Sequence, residues 1–216
     1  MKYVRRFFEL EKSDKIIFFL LLTTLGNLFM SLIKFYYTFT LPSMWFFINA
    51  IFNSILVILR LFSIRDYQNM KMEKDDDKKI EIGYKNYLNN GIILLLLGIS
   101  YFMVSAYLYY KNPLINMHEY MTYLVAFIAF YSISSAIYGM CKYRKNHSPI
   151  ISAVKVTNFA NALTSIVLTQ VVLLDFYGNG IDARLFNGGI SMLVSIVIMI
   201  LGLYMILGIK KYMNKE

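Results

Sequence analysis

Six stretches of this chain run without a single charged residue: Ile16–Ile33, Met44–Leu59, Asn86–Tyr110, Tyr120–Cys141, Val156–Leu174 and Leu185–Ile209. Crossing a hydrocarbon core of roughly 30 Å takes about 20 helical residues, and most of these runs approach or exceed that length. The second is short, but the aliphatic stem of Arg60 lets its guanidinium snorkel, so that helix is expected to continue to Ile64. Inside lipid a backbone must satisfy its own hydrogen bonds, which a single run of this kind does as a helix. The expected fold class is therefore all-α, a polytopic membrane protein with six transmembrane helices arranged as three hairpins. Composition agrees: 58% of residues are hydrophobic and 16% charged, where soluble domains carry about a quarter charged.

The charges that exist are segregated. Of 22 lysines and arginines, only Lys34, Lys111 and Arg184 fall outside four groups, which lie at the start, between the second and third runs, between the fourth and fifth, and at the end. Such asymmetry orients membrane proteins with the basic side inward, so both termini are expected in the cytoplasm at the cell membrane. The net charge of +9 is thereby assigned to topology and to anionic lipid headgroups, and nucleic acid is not required. The chain divides into an interfacial segment (1–15) with Tyr3, Val4, Phe7 and Phe8 on one helical side, a first hairpin (16–64), and a charged cytoplasmic linker (65–90). A second hairpin (91–141), a basic loop (142–149), a third hairpin (150–209) and a tail (210–216) follow. Pro42 with Ser43, Pro113, and Gly178-Asn179-Gly180 mark the outer turns, with Asp182 as a helix cap.

Polar groups within the apolar runs cost free energy unless partnered, so their spacing is informative. At about 100° per residue, Thr23, Asn27, Ser31 and Lys34 share one face of the first helix, and Asn49, Asn53 and Arg60 one face of the second. On the fifth, Lys155, Asn158, Asn161, Ser165 and Thr169 occupy a face about 120° wide, with Gln170 at its edge. The candidate intramembrane cluster is Asn27, Asn49, Asn53, Lys155, Asn158, Ser165 and Gln170. The other helices carry seams of small residues: Gly91, Gly98 and Ser105; Ala129, Ser132, Ala136 and Gly139; Gly188, Ser191, Ser195 and Gly202. Seams of this kind let backbones approach closely. The expectation is that helices 1, 2 and 5 share a polar interior while 3, 4 and 6 pack tightly around or beside it. The polar faces read either as a solute site or as hydrogen bonds joining helices.

Catalytic and metal-binding chemistry has little to stand on. The single Cys141 excludes an intrachain disulfide and a Cys-rich metal site; it reads as a small packed residue rather than a lipidation site. His118 and His147 fall on opposite membrane sides in this topology. Asp75-Asp76-Asp77 lacks the spacing and the turn glycine of a calcium loop and reads as a solvated charge run. Asp175, Asp182 and Glu119 sit at outer helix ends, leaving no carboxylate at a membrane centre to couple protons or cations. No catalytic residues, metal ligands or cofactor are assigned, and no enzyme activity is expected.

One segment carries a resemblance. Tyr87-Leu88-Asn89-Asn90-Gly91, then Tyr143-Arg144-Lys145-Asn146-His147-Ser148-Pro149-Ile150-Ile151-Ser152-Ala153-Val154-Lys155, then Ala162 through Ile166 to Gln170 and Phe176-Tyr177-Gly178 form the pattern. From Tyr84 to Gly178 the chain resembles a family of uncharacterised bacterial six-helix integral membrane proteins, which tend to have Ala where this one has Asn161. The resemblance implies the topology and no reaction. By its own chemistry Ser148-Pro149 opens the fifth helix. Function is expected to be that of an accessory or sensory membrane component acting through a membrane protein partner or a second copy. The alternative is a small-solute transporter or a transporter's membrane subunit.

Overall fold

The computed structural model describes residues 12–40, 43–111, 119–142, 148–177 and 185–213. Among them regular structure is entirely helical: α1 (Lys12–Thr40), α2 (Met44–Met72), α3 (Asp76–Lys111), α4 (Glu119–Lys142), α5 (Pro149–Tyr177) and α6 (Ile190–Met213), with one π-helical turn at Leu185–Gly189 leading into α6. Among the described residues, four helices, spanning Met44–Met72, Asp76–Lys111, Pro149–Tyr177 and Phe186–Ile209, are long and apolar enough to cross a membrane; α4 holds a shorter apolar stretch, Thr122–Tyr138. The interfacial segment up to Glu11, the turn markers Pro42, Pro113 and Gly178–Gly180, the cap Asp182, both histidines, the basic stretch 143–147 and the last three residues lie outside the described residues.

Local chemistry sets the ends that are described. Ser43 is extended (φ −125°, ψ 120°) before α2, and its carbonyl accepts from the Phe47 amide at 3.2 Å. Pro149 begins α5, where its missing N–H is no loss. The charged segment between the second and third apolar runs is largely helix rather than loop. α2 continues to Met72, only Glu73–Asp75 turn, and α3 starts at Asp76. Glu73 accepts from the backbone amides of Lys74 (2.9 Å) and Asp75 (3.3 Å), which hold its carboxyl below the usual range. Asp75 accepts from the Asp77 amide at 3.1 Å, capping α3, and Asp76 pairs with Lys79 at 2.6 Å. The acidic run thus serves a helix start. At 36 residues α3 is roughly 54 Å long, well beyond a hydrocarbon core.

The most extensive packing joins α3 and α6; α1 packs chiefly on α2, and α4 on α5, with α2, α3 and α5 in mutual contact. The α3–α6 contact is built from two of the small-residue seams. A β-carbon on Gly202 would lie 2.7 Å from the Leu95 amide nitrogen and 2.9 Å from the Gly91 carbonyl oxygen. One on Gly98 would lie 2.7 Å from Met199, and one on Gly188 2.6 Å from Tyr109. Ser105, Ser191 and Ser195 are buried alongside. A main core of Phe46, Phe52, Leu56, Leu94, Tyr101, Leu168 and Ile198 surrounds this contact, and Tyr67, Ile150 and Ile151 form a smaller cluster where the end of α2 meets the start of α5. The packing partner of α3 is therefore α6, with which it is not consecutive.

Substitution separates the tight glycines from the open ones. Gly202→Ala is expected to lower Tm in detergent, because the new methyl meets backbone atoms that cannot move aside, a strain of about 1–3 kcal/mol. Gly208→Ala, where a β-carbon meets nothing within 4 Å, is expected to hold or raise Tm, since Ala outranks Gly in a helix by about 1 kcal/mol.

Candidate functional site: a polar cleft around Arg60

Because α1 rests on α2 and α4 on α5, the two pairs leave a cleft between them. It contains a cavity of about 50 Å³ lined by Thr23, Gly26, Asn27 and Met30 of α1, Arg60 of α2, Tyr131, Ser132 and Ala136 of α4, and Asn158 and Asn161 of α5. A β-carbon added to Gly26 meets nothing within 4 Å, as expected of a residue facing open space. Of the polar faces read from the sequence, Thr23 and Asn27 of α1, Arg60 of α2 and Asn158 and Asn161 of α5 line it, while Asn49 and Asn53 do not, and α4 joins them. Ser132 and Ala136, placed in a close-packing seam by their spacing, line the cavity instead.

Its polar groups are partly satisfied by one another. Asn161 Nδ2 donates to Asn27 Oδ1 at 3.2 Å, and Asn27 Nδ2 donates to the Thr23 carbonyl at 2.8 Å. Four buried atoms remain without a protein partner: Arg60 Nε and Nη1, Asn158 Oδ1 and Asn161 Oδ1. Arg60 is 3% exposed. Its snorkelling, expected from the sequence, does not occur; the side chain turns into the bundle, where one guanidinium faces three carboxamides. A cation this buried costs several kcal/mol unless compensated.

A second cation lies one helical turn beyond Met30. Lys34, read as a flanking charge, is 6% exposed, and its Nζ has no protein partner. It borders a void of about 10 Å³ with Met30, Ile33, Tyr37, Phe46, Val125, Ala129, Ser165 and Leu168. Met30 is common to both spaces. Among the described residues, no acidic side chain lines either one.

Of the predicted cluster, Asn27 and Asn158 meet in the cavity, and Ser165 borders the void at Lys34. The other members go elsewhere. Asn49 is wholly buried and donates to the Trp45 carbonyl of its own helix at 3.0 Å. Gln170 reaches the Phe186 carbonyl at 2.8 Å, tying α5 to the π-helical turn. Asn53 is buried, Lys155 half-buried, and neither lines the cavity. Sequence reasoning left out Arg60, Lys34 and Asn161, although the polar faces of helices 1, 2 and 5 already contained them. A separate network, Asp66–Asn86–Ser63–Asn90, joins α2 to α3 with mutually satisfied bonds of 2.8–3.3 Å. It reads as hydrogen-bonded glue.

The chain matches no protein-family model and no curated protein.

An unpaired buried guanidinium is not there for stability. Arg60→Met, which keeps an unbranched stem and removes the charge, is expected to raise Tm in detergent without small anions, by about 1–4 kcal/mol of stabilisation. A fall in Tm would assign Arg60 a structural role.

Proposed function

We propose that this chain is a bacterial cell-membrane protein of three hairpins, with both ends cytoplasmic, that holds a small polar solute between α1–α2 and α4–α5. It would act as a transporter or as a transporter's membrane subunit. The observation that carries this reading is the cavity itself: a partly open space bounded by four helices, into which a buried guanidinium and two carboxamides project atoms with no protein partner. The Asp66–Asn90 network uses up its donors and acceptors; in the cleft four leftover atoms, two of them on one cation, border a common space. Polar groups of this kind in membrane-crossing segments line solute pathways.

The reading through a partner protein leans on the small-residue seams and the basic inner segments, and one of those seams is occupied. The seam of Ser191, Ser195 and Gly202 is consumed within the chain, where Ser191 and Ser195 are 0% exposed, so it presents nothing to a second protein. The basic segments, the apolar lengths and the resemblance over Tyr84–Gly178 support the orientation.

Two labelling measurements test this. In a Cys141→Ser background, cysteines at Pro42, Pro113 and Gly180 are expected to react with an impermeant maleimide on intact cells, while Asp75→Cys does not; the reverse pattern refutes the topology. In the same background, Asn158→Cys and Ser132→Cys are expected to react with a small charged methanethiosulfonate in purified protein. Buried Thr164→Cys, in the packed face of α5, is not. Equal inertness at all three would make the cleft a dry joint.

A further inference from the structure

Resting on the solute reading just given, we infer that the solute is a small inorganic anion, bound in the cleft at Arg60. The charge balance leads there first. Arg60 and Lys34 are both more than nine-tenths buried, both have nitrogens without a protein partner, and among the described residues the side chains lining their two spaces include no carboxylate. Along α2 the next acidic residue is Asp66, roughly 9 Å further on by helical rise, and it is engaged by Asn86 at 2.8 Å and Arg65 at 3.6 Å. A guanidinium is always charged, so neutralisation by losing a proton is closed to it. In a low-dielectric setting its remaining route to compensation is a counter-ion.

Size and donors narrow the class. A space of about 50 Å³ takes one compact ion with a little water, and excludes a sugar, a nucleotide or a lipid headgroup with its glycerol. Arg60 offers directed N–H donors. Turning the Asn158 amide about its last bond exchanges its unpartnered oxygen for two further donors. Asn161 is held by its bond to Asn27, and its oxygen suits the accompanying water. Lys34, beyond Met30, is placed as a second station for the same charge, with the Met30 side chain between the two.

The test uses the full chain, purified in neutral detergent and stripped of lipid, in potassium salts at fixed ionic strength. Chloride and nitrate are expected to raise Tm saturably over gluconate, which is too large for the cavity. The rise should be roughly 3–6 °C when the anion is in tenfold excess over its Kd. Arg60→Gln is expected to lose this response while keeping a monodisperse elution profile and helical circular dichroism, and Lys34→Gln to keep it with a reduced shift. Equal Tm in chloride, nitrate and gluconate overturns the inference, leaving water as the occupant. So does an unchanged response in Arg60→Gln, or a shift produced by phosphatidylglycerol and not by chloride. If Asn158→Cys labels while no salt shifts Tm, the anion assignment falls and the solute cleft stands; if neither occurs, both fall.

Discussion

A β-carbon on Gly202 would stand 2.7 Å from the backbone of α3, so α3 and α6 meet main chain to main chain. Between helices bathed in hydrocarbon there is no hydrophobic drive to associate, because lipid tails are as apolar as leucine; close packing and hydrogen bonds must hold them together. The α3–α6 crossing meets that requirement with glycines and buried serines along both helices. α2 and α5 pack onto α3, and α1 and α4 in turn lean on α2 and α5. The outermost helices have no glycine crossing of comparable closeness among the described residues, and it is beside them that space is left.

That arrangement sets different surroundings for the polar residues. In the packed contacts some side chains find partners: Ser31 meets the Ala50 carbonyl and the Ser54 hydroxyl at 3.2 and 2.7 Å, and Asn90 meets Ser63 and Asn86, although the Asn49 and Asn53 side-chain oxygens do not. In the cleft Asn161 reaches Asn27 across the two pairs, while Arg60 and Asn158 keep buried atoms without a protein partner. Leaving a guanidinium unsatisfied there sacrifices stability that an apolar residue would restore, a pattern associated with functional positions.

Much of this was legible from residue order. The helical segments followed from uncharged runs, and the seams from glycine and serine at helical spacing. The partner of each seam was not legible, because spacing shows which face is small but not which face it meets; Gly91 and Gly202 are 111 positions apart. Arg60 was misread for a related reason. Its long stem reaches outward to a headgroup or inward to a cavity with equal ease, and only the helices on either side decide. Gln170 and Asn158 carry the same amide chemistry, yet one is tied to the Phe186 carbonyl while the other faces open space. Asp75–Asp77, plain charges in one dimension, acquired a role once the α2–α3 turn placed Asp75 beside an amide.

The unbroken length of α3 has a mechanical corollary. From the Asp76 end to Lys111 it is one helix, gripped by α6 at Gly91 and Gly98 and bonded to α2 through Asn86 and Asn90. α2, which carries Arg60, is thus joined to this rod twice, covalently at the Glu73–Asp75 turn and by polar bonds at Asn86 and Asn90, so the helix that bears the buried cation and the charged tip share one frame.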